Sequence, residues 1–170
     1  MTDMTDITTD YFFRQQTKAA WVPFIRAFVA EIAQTAGEAG ADSFLRQIGK
    51  RLAADYPLAQ YNSIDELERS MNVVLQELQW GWLRIQVLDS SLMLKHGAFP
   101  LPSYGNEQQQ RFEARLFSAL LEGLYQSWLL ALGGKPDVQV RVKTAEAGGV
   151  FEFVYGKSRL AHSGRSPGFL

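Results

Sequence analysis

Leu121-Glu122-Gly123-Leu124-Tyr125-Gln126-Ser127-Trp128 is the second half of a helix whose surface is too apolar for the edge of one small core. Across residues 106–132 the polar positions Arg111, Arg115, Ser118, Glu122 and Gln126 fall in one narrow stripe. Phe112, Leu116, Ala119, Leu120, Gly123, Leu124, Trp128 and Leu132 take most of the remaining circumference. A helix at the edge of a core needs an apolar stripe over about a third of its surface, so this one is expected to be buried on several sides. Gly123 costs about 1 kcal/mol against Ala inside a helix, which predicts a neighbouring backbone at short range. Two arrangements meet these demands. One is a central helix; the other is the packing surface of a homo-oligomer, with Gly123, Leu124 and Trp128 at the contact.

Upstream of this helix, residues 11–35 read as helical after a short disordered start. Phe13, Ala20, Phe24, Phe28 and Ile32 recur at helical spacing, with Trp21, Ile25 and Val29 beside them. Pro23 predicts a break or kink near Val22. Gly37 and Gly40 mark a turn, and Asp42 is placed to cap a second helix carrying Phe44, Leu45, Ile48 and Leu52. Ser63-Ile64-Asp65-Glu66 matches a capping box at the start of a third, which carries Leu67, Met71, Val74, Leu75 and Leu78 and ends at Gly81. Period two then takes over. Leu83, Ile85 and Val87 alternate with Arg84 and Gln86, and the Asp89-Ser90 turn leads into Leu92-Met93-Leu94-Lys95, a hairpin. The loop over 97–106 is unusually apolar, with Phe99, Leu101 and Tyr104 reading as exposed. Gly133-Gly134 and Pro136 stop the long helix. Val138, Val140 and Val142 then alternate with polar residues, and Gly148-Gly149 turns the chain into a last strand carrying Phe151, Phe153 and Tyr155. The fold class is α+β: N-terminal helices, an antiparallel β-hairpin, a long central helix, a second β-hairpin and a flexible C-terminal tail. One domain is expected over residues 1–155, with the tail over 156–170.

Composition narrows the functional classes. The chain has 170 residues, a formal net charge of -1 and a pI near 6.1, which argues against nucleic-acid binding, since phosphate contacts need concentrated basic surface. It has no cysteine, so disulfides, thiol catalysis and thiolate metal sites are excluded together. No apolar run reaches the roughly 18 residues needed to cross a bilayer. The first residues, Met1-Thr2-Asp3-Met4-Thr5-Asp6, lack the basic start and apolar centre of an export signal. A cytoplasmic location is expected.

Catalytic chemistry is hard to assemble from what is present. Of the two histidines, His162 lies in the tail and His96 ends a strand near Asp89, Ser90 and Ser91. A hydroxyl nucleophile needs a base within hydrogen-bond reach and a strained turn, and no G-x-S-x-G elbow exists here. Turn chemistry accounts for Asp89 and Ser90. Asp65, Glu66 and Glu68 are explained by capping and the helix dipole rather than by paired-carboxylate catalysis. No metal-ligand spacing, calcium loop, P-loop or dinucleotide fingerprint appears, so neither metal nor cofactor is expected, and the chain is read as a non-enzyme. Trp80, Trp82 and Trp128 read as core residues. Tyr11, Phe12 and Phe13 begin the first helix at the edge of a polar segment, where they either staple the helix end onto the core or offer flat faces that stack on sugar rings, with Arg14 donating to hydroxyls.

Three stretches follow one another in a recognisable order. They are Phe44-Leu45-Arg46-Gln47-Ile48-Gly49-Lys50-Arg51-Leu52, then Ile64-Asp65-Glu66-Leu67 through Leu78-Gln79-Trp80-Gly81-Trp82, then Leu121-Glu122-Gly123-Leu124-Tyr125 with Trp128. In this order they resemble the D component of bacterial cellulose synthase complexes, with coverage from about Phe12 to Tyr155. The resemblance implies a non-catalytic accessory protein forming a ring-like octamer built from dimers. It implies as partners the other components of the synthase complex and nascent β-1,4-glucan, guided through inner channels before crystallising. Residues near the N-terminus line those channels in the family. The N-terminal segment, the 97–106 loop and the tail after Gly156 depart from the family pattern, so Tyr11, Phe12 and Arg14 rest on the stacking argument alone. The resemblance places the protein by the inner-membrane synthase, and the family has also been discussed as periplasmic. The order of elements is also similar to small ligand-sensing domains of the vinyl-4-reductase-like type, in which a cavity between helices and sheet takes an acyl chain or small effector.

Overall fold

The computed structural model describes the backbone of residues 4–101, 107–146 and 149–157, and the side chains from residue 21 onward. Three helices, α1 (Met4–Asp55), α2 (Ile64–Leu78) and α3 (Glu107–Ala131), accompany strands β1 (Trp82–Leu88), β2 (Ser91–Gly97), β3 (Val138–Glu146) and β4 (Val150–Lys157). The strands form one antiparallel sheet in the order β1-β2-β4-β3. The α+β class and the two hairpins read from the sequence are those observed. Strand β4 runs to Lys157, two residues beyond the expected end of the domain, and the remainder of the tail lies outside the described residues.

The first helix departs from expectation. Pro23 stays inside α1 with helical backbone, and the break falls at Gly37, whose φ of 69° and ψ of 174° are non-helical. Pro23 is exposed, where water can satisfy a freed carbonyl, whereas a positive φ is open to glycine without a Cβ clash. The helix also starts earlier than expected, at Met4. Gly40 and Asp42 are helical rather than turn and cap. The bend folds α1 into two arms, so that Phe28 on the first meets Phe44 on the second, ring centroids 6.0 Å apart.

The second arm lies along α3 in the same direction. Asp42 meets Arg115, Arg46 meets Glu122, and the Tyr56 carbonyl accepts the Trp128 indole N–H at 2.8 Å. Midway the two backbones touch: a Cβ on Gly49 would strike the Leu120 carbonyl, and one on Gly123 the Arg46 carbonyl. The close approach predicted at Gly123 is therefore present, and the neighbour is α1 of the same chain. α3 is central, with Leu116, Leu121, Leu124, Tyr125 and Trp128 at most 1% exposed.

α2 is built as its sequence directs. The Ser63 hydroxyl accepts the Glu66 N–H at 3.2 Å, and the Glu66 carboxylate accepts the Asn62 N–H at 2.8 Å. The helix closes at Gln79 in left-handed conformation, two residues before Gly81. Inward-facing Leu83, Leu94, Phe151 and Phe153 cover α3, and the opposite side of the sheet carries charge, with Glu152 between Lys95 and Lys143 at 3.4 Å from each.

Two other expectations are corrected. Phe99 and Leu101 are buried, not exposed, and Phe99 packs edge-on against Trp80, His96 and Phe151. Trp82, read as a core residue, is 50% exposed.

Candidate functional site

The second half of the polar stripe of α3 is not a solvated face. Glu122 accepts both Arg46 (2.6 Å from Nη2) and the Val142 N–H (2.6 Å). Gln126 accepts the Val140 N–H at 2.6 Å and donates to the Val138 carbonyl at 3.1 Å. These are the outward backbone groups of β3, an edge strand. The other edge, β1, is treated alike. Asn72 on α2 accepts the Leu83 N–H and donates to the Leu83 carbonyl, both at 2.8 Å, and Glu68 accepts the Ile85 N–H at 2.7 Å. Helix side chains thus occupy backbone positions that would otherwise invite another strand. Helical spacing shows a polar stripe but not which backbone it faces, so these roles have no signature in the sequence.

His96 lies at the opposite end of its hairpin from Asp89 and Ser90, six or seven residues or roughly 20 Å along the strand, so no triad forms. Its imidazole is 1% exposed, with Nε2 2.6 Å from the Trp80 carbonyl and Nδ1 2.5 Å from the Tyr125 hydroxyl. A carbonyl only accepts, so Nε2 carries the proton and Nδ1 accepts from Tyr125. Burial pushes the imidazole down from 6.5 to about 4, opposed by the Trp80 carbonyl, and burial raises the Tyr125 hydroxyl well above its usual range. Both groups are held neutral, and this pair joins the hairpin to α3.

The residues expected to form a contact between copies are interior. Gly123 abuts Arg46, while Leu124 and Trp128 are 0% and 1% exposed within one chain. Within the single chain they pack the interface between α1 and α3. Tyr11, Phe12 and Arg14 fall on α1, and their side chains lie outside the described residues.

The exposed apolar surface lies elsewhere. Trp21, Phe24 and Phe28 form a ring-to-ring row on the first arm of α1, centroids 5.4 and 5.8 Å apart, continued by Phe44 across the bend. They are 54%, 56%, 39% and 44% exposed. Of residues 21–28 only Val22 is even half-buried, and from residue 21 onward Val29 is the first buried residue. The sequence signal is the apolar surplus of this helix, which has apolar residues on more sides than one core contact uses. No helix among the described residues is long and apolar enough to cross a membrane.

Residues 7–156 match the model of the cellulose synthase D-subunit family. Curated relatives include a cellulose synthase operon protein D of Komagataeibacter xylinus and one of Komagataeibacter sucrofermentans. Each is 25% identical over 111 residues, covering 65% of this chain and 70% of the relative. The order of motifs through α1, α2 and α3, now seen as one packed unit, and a match over most of the chain lead to one conclusion: the chain belongs to the cellulose synthase D-subunit family.

Proposed function

We propose that the protein is a non-catalytic accessory component of a bacterial cellulose synthase complex. Copies assemble into a closed ring, eight chains built from dimers, that guides nascent β-1,4-glucan toward crystallisation. The observation that carries this reading is the exposed aromatic row of Trp21, Phe24, Phe28 and Phe44 on a chain whose own core is already filled. A run of large apolar side chains this exposed marks a contact surface. With strand addition hindered at both sheet edges, helix faces are what remains for self-association. A second copy is the favoured occupant because closed symmetry buries such a face without forming fibres, and a net charge of -1 gives little repulsion.

Tyr11, Phe12 and Arg14, upstream on the same helix, are the proposed glucan contacts: two stacking rings and a multiple donor. Contacts of this kind are weak, with affinity for short cello-oligosaccharides around millimolar, because a moving polymer must leave. The ligand-sensor reading is less favoured, because the space between α3 and the sheet is filled by Tyr125, Trp128, Phe151 and Phe153, with centroids 5.5–6.1 Å apart.

The test is loss of the gene. Cellulose yield or order should fall while synthase activity in isolated membranes is retained. A several-fold change in synthase turnover, or release of reducing sugar from cellulose by the purified protein, would defeat the reading.

A further inference from the structure

An open groove of about 550 Å³ runs between α2 and the outer side of β1, and none of the α1 aromatic row lines it. That size lies within the range of small-ligand sites, about 300–1,000 Å³. The sequence builds its two walls by periodicity. Asp65, Arg69, Asn72 and Gln76 recur every three or four residues and share the face of α2 that Leu67, Met71 and Val74 do not use. Such a row extends for roughly 16 Å along the helix axis. Trp82 and Arg84 alternate with buried Leu83, which puts both on the outer face of the sheet.

Trp82 is seated rather than stray. It pairs across the hairpin with Gly97, and a Cβ on Gly97 would run into the indole ring. The ring therefore rests across a bare glycine with half its surface open. Asn72 is immobilised by its two bonds to Leu83, which ties the α2 wall to the β1 wall. Asp65, Arg69 and Gln76, by contrast, have no side-chain partner among the described residues. The groove combines one supported aromatic face with a carboxylate, a guanidinium and an amide that are free to bond.

This combination fits a sugar chain. A pyranose with equatorial substituents has flat C–H faces that cover an indole and a rim of hydroxyls that both donate and accept. Carboxylate, guanidinium and amide groups at the edge of the ring serve both roles. We infer that the α2–β1 groove is a second glucan-binding site, taking an internal stretch of a β-linked glucan with one ring stacked on Trp82. The inference rests on the glucan-guiding reading and adds a site on the outer face of the sheet, built from residues other than Tyr11, Phe12 and Arg14.

The experiment uses the full-length protein and cellohexaose, with maltohexaose as the α-linked control. Indole resonances are followed by NMR, and retention on insoluble cellulose is measured in parallel. The Trp82 indole signal should shift on cellohexaose and not on maltohexaose. Trp82→Ala should weaken binding about tenfold, the change expected from loss of one stacking contact, and Trp82→Phe should recover part of it. Gln76→Ala, at an exposed position, should weaken binding several-fold with an unchanged melting curve, so the test does not depend on Trp82→Ala folding. Wild-type affinity in both Trp82→Ala and Gln76→Ala, or equal binding of maltohexaose, would overturn the groove and leave the accessory-component reading standing. Absence of any cellohexaose binding would also overturn it. The accessory-component reading fails independently, through a gene deletion that leaves cellulose unchanged.

Discussion

His96 shows how a single buried group can set the pH response of the fold. Its folded pKa of about 4 lies below the 6.5 of an exposed imidazole, so between these values the unfolded chain binds a proton that the folded chain does not. Stability is therefore full above about pH 6.5 and is lost as pH falls toward 4, by about 2 kcal/mol between pH 7 and pH 5. Urea denaturation at the two pH values checks this. His96→Gln should lower stability at pH 7 and flatten that part of the slope, whereas an unchanged slope would assign the acid sensitivity to other groups. A second prediction concerns the crossing of α1 and α3. Gly49→Ala or Gly123→Leu should destabilise the single chain itself by at least about 1–3 kcal/mol, because each collides with backbone that cannot step aside. The loss should appear in denaturation midpoints. At this scale the sequence is partly legible. The cost of glycine inside a helix announces a close contact at Gly123, but nothing in a linear pattern says whether the neighbour belongs to the same chain. The exposure of Trp82 is hidden for a related reason: burial statistics for tryptophan carry no information about a glycine directly across a strand pair.

Elements are legible wherever local chemistry specifies them. The Ser63 and Glu66 caps, the period-two strands and the Asp89-Ser90 turn each have a short-range physical cause, and each appears at its expected place. The break in α1 falls at glycine rather than proline because the two residues disturb a helix unequally. A proline on the exposed side of a helix loses one hydrogen bond, while a glycine can leave helical space altogether. The protection of the sheet edges cannot be read from the sequence, since it depends on three elements meeting. It does have a measurable consequence. Asn72→Ala strips Leu83 of both backbone partners and should cost about 1–3 kcal/mol. Combined with Glu68→Ala it should also open the β1 edge. Thioflavin fluorescence on prolonged incubation should rise for the double variant and stay flat for the wild type, and equal behaviour of the two would deny the edges this role.

For the whole molecule, the main question is what covers the first arm of α1. Order of motifs along the chain is enough to suggest the family, because a fold of this size tolerates many substitutions while keeping the sequence of elements. The proposed surface between copies has no separate signature in the sequence, because apolar residues on an open face and those facing the core share one helical period. The structure separates them: Gly123, Leu124 and Trp128 are interior, while Trp21, Phe24, Phe28 and Phe44 are exposed. The central claim is that these four rings are covered by further copies of the same chain. Multi-angle light scattering after size exclusion at micromolar concentration tests it most directly, on the wild type and on a Phe24→Asp/Phe28→Asp variant. The account predicts a closed oligomer of eight chains for the wild type, and smaller species with an unchanged circular dichroism spectrum for the variant. A wild-type monomer, or a variant that assembles as the wild type does, would contradict it.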